Sequence, residues 1–253
     1  MKTFWLTIVG LAGLGLAPAL AADLPARTYT KAPPIAPPPP SWTGFYIGIN
    51  GGGAVSQNCW DFTNAFGVLP VPPTREGCHD ASGGIVGGQL GYRWQASQWV
   101  FGVEAQGDWA DLKGSNTSEF LGPPDVVNQT KVDAIGLFTG QIGFASDNIL
   151  GYVKGGAAVT HNKYNGLVAG VVGDQASDTR WGGAAGAGIE FGFAPGWSVA
   201  LEYDHLFMSR RDITLTAVGP VTATTRIDRI GQDVDMATLR LNYRFGGPLL
   251  AHY

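Results

Sequence analysis

Three side chains in one short stretch have the types that acyl transfer requires: a carboxylate, a histidine base and a serine nucleophile. They are Glu202, His205 and Ser209. A serine hydroxyl becomes nucleophilic when a neighbouring base takes its proton and a third group orients that base. In an extended strand, however, His205 and Ser209 share one side and Glu202 faces the other. The spacing therefore favours a histidine on the outer surface over a hydrolase triad, and no catalytic residue is predicted.

Two carboxylates of the same stretch, Glu202 and Asp204, share one side of an extended strand. Paired carboxylates can serve as general acid and general base. Lys154 and Arg240 supply cations elsewhere in the chain, and ion pairing with them explains the two acids more simply. We interpret the pair as part of an ion-pair network.

The chain begins with features of an export signal. Lys2 precedes an apolar run over residues 4–16, and Ala19 and Ala21 form an A-x-A cleavage site. The run is shorter than the roughly 20 residues that a membrane-spanning helix needs, which disfavours the alternative of an anchor. We predict a signal peptide over residues 1–21, with cleavage after Ala22 as the alternative.

Both cysteines, Cys59 and Cys78, follow this signal in one polar segment. Export implies an oxidising compartment, and a disulfide that closes such a loop would contribute roughly 3 kcal/mol. A metal site with His79 is the alternative, but the ligand spacing is not one that metal sites use, and no metal is predicted. Glycine runs at 51–53 and 186–188 lack the strand-turn-helix context of a phosphate loop, and no cofactor is predicted.

Composition limits the class of protein. The formal charge of -4 argues against nucleic acid as a partner. The mean hydropathy of +0.05 is far below that of a helical membrane protein. A barrel wall, in contrast, alternates lipid-facing and lumen-facing residues, so its hydropathy averages towards zero. Residues 22–41 are rich in proline and are predicted to form an extended periplasmic spacer.

Beyond the spacer, the pattern changes to segments of period two. In one of them Phe101 and Val103 alternate with Gly102 and Glu104. The connections between these predicted strands are alternately long polar loops and short turns. This order places all the long loops at one end of the barrel, as in outer-membrane barrels. The predicted strands are 42–55, 81–94, 99–113, 131–145, 149–162, 180–194, 197–210 and 232–245.

Strand length and charge position distinguish a membrane barrel from a soluble β-sandwich. Strands of about 14 residues exceed the usual 5 to 6. Five charges lie at similar depth on the polar faces, and in a narrow barrel they would meet and fill the lumen, whereas on a soluble sheet they would be scattered over the surface. These predicted lumen residues are Glu104, Lys154, Glu190, Glu202 and Arg240.

Aromatic residues concentrate beside the short turns and the ends of the predicted barrel, where they are expected to form a periplasmic girdle. They are Trp42, Trp94, Trp99, Trp197, Tyr243 and Phe245. The last strand has an apolar, lipid-facing side that consists of Ala237, Leu239, Leu241, Tyr243 and Phe245.

Four segments carry a resemblance to a known family: WTGFYIGINGGG, GYVKGGAAV, GAGIEFGFAPGWSVALEYDH and LRLNYRF. They resemble the OMP β-barrel family of small alphaproteobacterial outer-membrane immunogenic proteins, over about residues 42–245. The resemblance implies an OmpA-like, eight-stranded antiparallel barrel. It also implies delivery by the outer-membrane assembly machinery, which recognises a C-terminal strand that ends in phenylalanine. This sequence departs from that pattern in a tail, GGPLLAHY, over residues 246–253.

The expected function follows from this architecture. We expect a structural, surface-exposed barrel of the cell outer membrane, over residues 42–245, with no catalytic activity. A small diffusion channel, which the family's porin label would indicate, and a lipid-modifying enzyme are the alternatives. The expected partners are outer-membrane lipids and lipopolysaccharide, the assembly machinery, and host or environmental ligands at the loops.

Overall fold

The protein is described by a computed structural model over residues 41–65, 69–120, 126–218 and 225–245. The predicted signal peptide, the spacer up to residue 40 and the tail over residues 246–253 lie outside these described residues. In the described part of the chain, no helix is long and apolar enough to cross a membrane.

Eight antiparallel strands form one closed barrel in which each strand pairs with its neighbours in sequence and β1 pairs with β8. The fold class predicted from sequence is confirmed. The strands are β1 Gly44–Ala65, β2 Leu69–Ala96, β3 Trp99–Thr117, β4 Val126–Ser146, β5 Ile149–Val168, β6 Val171–Ala194, β7 Trp197–Ala217 and β8 Arg226–Arg244.

The strand register makes the barrel narrow and tilted. A row of paired residues that starts at Val103 passes once around the wall and returns to β3 at Lys113, ten residues further along the strand. Such a stagger in an eight-stranded barrel corresponds to strands tilted by roughly 40°, with an interior just wide enough for side chains to fill. The row runs through Val103, Gly140, Gly155, Ala185, His205, Asp235, Val55, Ser82 and Lys113.

The outer surface carries an apolar belt, which we define as the outward-facing residues between the short turns and the level of Trp109, Trp181 and Phe207. All three of these aromatics are more than half exposed, as a lipid-facing girdle requires. Apart from Asp235, which pairs with His205, the outward charges begin just beyond them, as at Asp111 and Asp133. The membrane-spanning segments are therefore 45–56, 81–94, 99–109, 134–145, 149–159, 181–193, 197–208 and 234–245.

At the turn end of the belt, the predicted girdle residues point outwards, with one exception. Trp94, Trp99, Trp197 and Phe245 are all at least 41% exposed, and Tyr243 packs between Trp197 and Phe245. The exception is Trp42, for which the prediction is wrong because its side chain is only 2% exposed. It precedes β1 and turns into the barrel, where its ring lies within 5.9 Å of the Arg93 guanidinium.

The strands are longer than the sequence pattern predicted. They contain 19 to 28 residues, because the polar segments predicted as loops continue largely as paired strands beyond the belt. Apolar alternation ends where the lipid ends, whereas the backbone ladder needs no apolar side chain to continue. We call this part the outer extension; its described residues fall within 57–80, 110–133, 160–180 and 209–233. Both cysteines lie in it, as direct ladder partners on β1 and β2.

Candidate functional site

The lumen at the middle of the belt contains a cluster of four buried charges from four strands. The Lys154 ammonium lies 2.6 Å from Glu202 Oε1 and 3.4 Å from Glu104 Oε1. The Arg240 guanidinium donates from Nη2 to Glu104 Oε2 at 2.5 Å and from Nη1 to Glu202. All four side chains are at most 1% exposed. The structure thus brings together four of the five charges predicted for the lumen.

Asp204 joins this central cluster, because its Oδ1 lies 3.3 Å from the Lys154 ammonium. With it, three carboxylates surround two cations. The two acids that could have formed a catalytic pair, Glu202 and Asp204, therefore share the ammonium of Lys154 in a fully enclosed lumen. Burial of unpaired charge is costly, and this arrangement pairs each acid with at least one cation.

Two tyrosines hold the carboxylates of the cluster in place. Tyr46 donates its hydroxyl to Glu104 Oε2 at 2.6 Å, and Tyr152 donates to Glu202 Oε2 at 2.6 Å. Their rings pack against two glycines, so that a Cβ added to Gly91 or Gly188 would come within 2.6 Å of the tyrosine Cζ and hydroxyl oxygen. Such close approach is a common reason for glycine inside a strand. These tyrosines were missed at the level of sequence, although both alternate inwards with lipid-facing neighbours.

Glu190 does not belong to the central cluster, which corrects the prediction. It forms a separate ion pair with Arg93 Nη2 at 2.8 Å, and Ser198 and Asn242 also donate to it. The tilt of the wall explains the difference, because residues at equal distance from their strand ends do not lie at equal depth. The Arg93 guanidinium lies 4.4 Å from the ring centroid of Tyr46. Tyr46, whose hydroxyl binds Glu104, therefore connects the Arg93–Glu190 pair with the central cluster.

An apolar layer fills the lumen on the outer side of the charge cluster. Its inward-facing side chains come from all eight strands and are almost fully enclosed, with Leu137 and Leu206 at 0% exposure. The large side chains of the layer are Ile85, Leu112, Val132, Ile135, Leu137, Leu206, Met208, Val234 and Met236. This layer could not be predicted from sequence, because inward and outward apolar positions in a strand differ only in register.

In the outer extension, Arg226 is surrounded by three acids. It contacts Glu76 Oε2 at 2.9 Å, Asp174 Oδ2 at 3.0 Å and Asp228 Oδ2 at 3.2 Å. Burial raises the pKa of Asp228 to about 8; Arg226 opposes the shift, and the negative charges of Glu76 and Asp174 add to it. A single guanidinium thus forms ion pairs with three buried carboxylates.

Cys59 and Cys78 form a disulfide. The alternative of a metal site with His79 finds no support in the geometry, because the His79 ring nitrogens contact Asn116 Oδ1 at 2.7 Å and Thr130 Oγ1 at 2.9 Å. Burial lowers the pKa of His79. Among the described residues, no group of three or more histidine, cysteine, aspartate or glutamate side chains could hold a metal ion.

The three residues considered for acyl transfer are not brought together. Glu202 faces the lumen, whereas His205 and Ser209 face outwards. His205 pairs instead with Asp235 on β8, at 2.7 Å between Nδ1 and Oδ1, and Tyr203 donates to the same oxygen at 2.5 Å. The cross-strand acid was not identified from sequence because register decides which residues of two strands meet.

The final strand closes the barrel against the first. The backbone N–H of Phe245 donates to the carbonyl of Phe45 at 2.8 Å. The four signature positions predicted to face lipid lie on the outer side of β8, with Leu239 61% exposed and Phe245 53% exposed. They are Leu239, Leu241, Tyr243 and Phe245.

A closed antiparallel wall with an apolar belt, aromatic residues at both edges of that belt and a polar ion-paired interior defines an integral outer-membrane β-barrel. The family model described as the outer membrane protein beta-barrel domain matches residues 9–245. The chain belongs to this family, and it is a protein of the bacterial outer membrane.

Two relatives and one solved structure are similar to the chain. The 31 kDa outer-membrane immunogenic proteins of Brucella melitensis and Brucella suis are each 30% identical to it over 222 residues, which cover 81% of this chain and 88% of each relative. The crystal structure of the outer membrane protein OprG from Pseudomonas aeruginosa superposes with a TM-score of 0.52 at 14% identity, over 80% of this chain and 97% of that one. The likeness to OprG is one of fold.

Proposed function

We propose that the protein is a structural, surface-exposed barrel of the outer membrane, with a filled lumen and no catalytic role. The observation that carries this proposal is that two filled layers are stacked along the barrel axis. An ion-paired layer around Arg240 lies below an apolar layer around Leu206, which is on its outer side. Water and ions cross neither layer without rearrangement, because the first holds paired charges and the second offers no polar partner.

Single-channel recording in planar bilayers tests the filled lumen. We expect the refolded mature protein to be silent. We also expect silence from Arg240→Ala, because the apolar layer remains intact when the ion-paired layer is opened. Stable openings of the wild type would favour the alternative of a small diffusion channel. Openings of the variant alone would show that the ion pairs are the only barrier, which would also contradict the proposal.

Surface exposure follows from the placement of the outer extension on the extracellular side. Three lysines of this extension, Lys113, Lys131 and Lys163, are direct neighbours on the outer faces of β3, β4 and β5. They lie just beyond the apolar belt, where we propose that they contact the phosphates of lipopolysaccharide. Outer-membrane lipids surround the belt, and the assembly machinery and host or environmental ligands at the outer hairpins complete the proposed partners.

Labelling of intact cells with an amine-reactive reagent that does not cross membranes tests this orientation. Lys113, Lys131 and Lys163 should be modified, whereas Lys154 in the lumen should remain unmodified as an internal control. Lys31 of the predicted periplasmic spacer should react only after the outer membrane is permeabilised. The reverse pattern, with Lys31 modified on intact cells and the three outer lysines protected, would exclude the proposed orientation.

The non-enzymatic role is supported by the arrangement of the candidate groups. His205 and Asp235 form a pair on the outer surface, but Tyr203 occupies the same carboxylate oxygen and Ser209 lies four residues away on the strand. Incubation of the protein with phospholipid and lipid A in mixed micelles should release no fatty acid. Release that disappears in His205→Ala would establish the alternative of a lipid-modifying enzyme.

A further inference from the structure

The wall of the outer extension is interrupted between β6 and β7. The ladder contains the pairs Asp174↔Ala217 and Gln175↔Thr216, and it resumes only at Gly182↔Met208. Between these points, residues 176–181 of β6 face residues 209–215 of β7 without ladder pairs. In the described strands this is the longest interruption of any ladder.

Both interrupted edges are nevertheless held as extended strands. Residues 176–180 remain paired with β5, and residues 211–215 remain paired with β8. Successive residues of a strand direct their N–H and C=O groups to opposite sides, so about half of the groups on each edge point towards the interruption. Two facing rows of donors and acceptors without ladder partners result, which is the arrangement that an added strand satisfies.

A cleft of about 700 Å³ occupies the space between the two edges. This volume lies within the range of protein ligand sites. The interruption is long enough for about six extended residues, which span roughly 20 Å. Its lining is mainly polar and carries both signs of charge, so it does not select a purely apolar or a strongly charged molecule. The polar lining includes Gln175, Ser177, Asp178, Asp212, Thr214 and Thr216.

Two arginines bridge the interruption in place of the backbone ladder. The Arg211 guanidinium on β7 lies 3.6 Å from Asp178 Oδ1 on β6. The Arg180 guanidinium on β6 donates to the carbonyl of Ser209 on β7 at 3.4 Å. Arg180 is buried, whereas Arg211 is 45% exposed on its side chain. The exposed bridge can therefore be displaced by a molecule that enters from outside.

The cleft opens directly beyond the belt. Trp181 and Phe207 mark the edge of the belt. Trp181 is the first residue of the interruption on β6 in the outward direction, and Phe207 lies one residue before the last paired residue of β7, Met208. In the orientation of the proposed function, on which this placement rests, the cleft faces the cell exterior at the membrane surface.

We propose that this cleft binds an extended polypeptide segment of another protein, which adds as a strand between β6 and β7. A backbone matches two rows of alternating donors and acceptors at strand spacing, whereas a saccharide presents hydroxyl groups without that repeat. A second copy of this chain is not the occupant, because the described strands of a folded copy are paired on both sides apart from bulges, this same cleft and residues 69–81 of β2, where three prolines lack the N–H groups that a ladder needs.

Hydrogen–deuterium exchange with mass spectrometry tests the proposal on the refolded mature protein in detergent micelles. The probe is a library of acetylated, amidated hexapeptides rich in threonine, valine and serine. In the free protein, amides of residues 176–181 and 209–215 should exchange faster than those of the paired residues 182–190. Peptides that bind should slow exchange in these two segments and leave the other ladders unchanged.

Arg211→Ala provides the matched test of the site, and Arg75→Ala its control. Arg75 on β2 is also exposed and lies 3.3 Å from Asp61 Oδ1 on β1, and neither of these two residues lines the cleft. Removal of the Arg211 bridge should strengthen peptide binding by up to about fivefold, the factor that an exposed ion pair accounts for. Arg75→Ala should leave the affinity unchanged.

Three results would overturn the proposal. Slow exchange of both segments in the free protein would show that the ladder is closed. Unchanged exchange with every peptide, together with slowing by lipopolysaccharide core oligosaccharide, would identify a saccharide site. No slowing with either probe would show that the cleft binds neither. Exchange in micelles tests the peptide cleft alone, whereas lysine labelling on intact cells tests the orientation of the proposed function. A failure of one proposal can therefore be distinguished from a failure of the other.

Discussion

Glu104 on β3 and Arg240 on β8 are joined across the lumen, with 2.5 Å between Arg240 Nη2 and Glu104 Oε2, while the other terminal nitrogen of the same guanidinium binds Glu202 on β7. One planar side chain therefore links three strands. The two contacts use the fixed fork of the guanidinium, which a lysine ammonium cannot reproduce.

Arg240→Ala should destabilise the barrel strongly. The variant leaves Glu104 and Glu202 with one shared cation, the Lys154 ammonium, beside their tyrosine hydroxyls, in an enclosed interior. Removal of one partner of a buried ion pair typically costs about 3 to 5 kcal/mol. Urea unfolding in micelles, followed by tryptophan fluorescence, measures the loss, and Arg240→Lys should recover part of it. Arg229→Ala removes an exposed ion pair and should cost less than about 1 kcal/mol. Equal effects of the two alanine variants would contradict a buried network.

Gly188→Ala should displace the Tyr152 ring. The added Cβ would lie 2.5 Å from Tyr152 Cζ, so the ring must move and its hydroxyl must leave Glu202. Overpacking of this kind costs about 1 to 3 kcal/mol. Gly151→Ala is the matched control, since its Cβ would meet nothing within 4 Å. Unfolding of the double variant with Tyr152→Ala completes the test: the Gly188→Ala penalty should shrink once the ring is absent, and an undiminished penalty would point to another cause.

Reduction of the Cys59–Cys78 disulfide should loosen the outer extension and leave the belt folded. The bond joins two ladder partners, and its loss should cost roughly 3 kcal/mol by the chain-entropy argument. Brief trypsin treatment with and without dithiothreitol should show faster cleavage after Arg75 in the reduced protein. The double variant Cys59→Ala, Cys78→Ala should be cleaved at one rate in both conditions. A reductant effect that persists in this variant would rule out the disulfide as its origin.

The outer extension should lose stability as the pH rises. The pKa of Asp228 is raised in the folded protein to about 8 from its usual 3.8, so the folded state binds the extra proton between these values. The free energy of unfolding should therefore fall from about pH 4 to about pH 8. Incubation in urea at each pH, followed by a short trypsin pulse at one fixed pH, measures the trend through cleavage after Arg75.

Asp228→Asn is the control for this titration, because the amide keeps the shape of the side chain and cannot ionise. The stability of its outer extension should change less with pH than that of the wild type. The variant should exceed the wild type in stability most at the alkaline end of the range. If the two profiles were parallel, another group would have to be responsible for the pH dependence.

The amino-acid sequence alone determined the strand count, the pairing order and the membrane-spanning segments. The predicted strand 81–94 coincides with the segment of β2 inside the belt, and the other predictions differ from the belt by a few residues at their ends. The physical reason is that lipid imposes apolar side chains at every second position, and this period is visible in sequence. The two cysteines and four of the five lumen charges were identified for the same reason, since the alternation fixes which residues face inwards.

Only the tertiary structure decided what depends on register and tilt. Glu190 was assigned to the central cluster because its distance from the strand end is similar, but the stagger of the wall places it beside Arg93, which sequence did not single out. Three further features also depend on register and could not be predicted from sequence. They are the outer extension, the pairing of His205 with Asp235 and the interruption between β6 and β7. A one-residue change of register would alter each of these contacts while leaving the hydrophobic period of the individual strands unchanged.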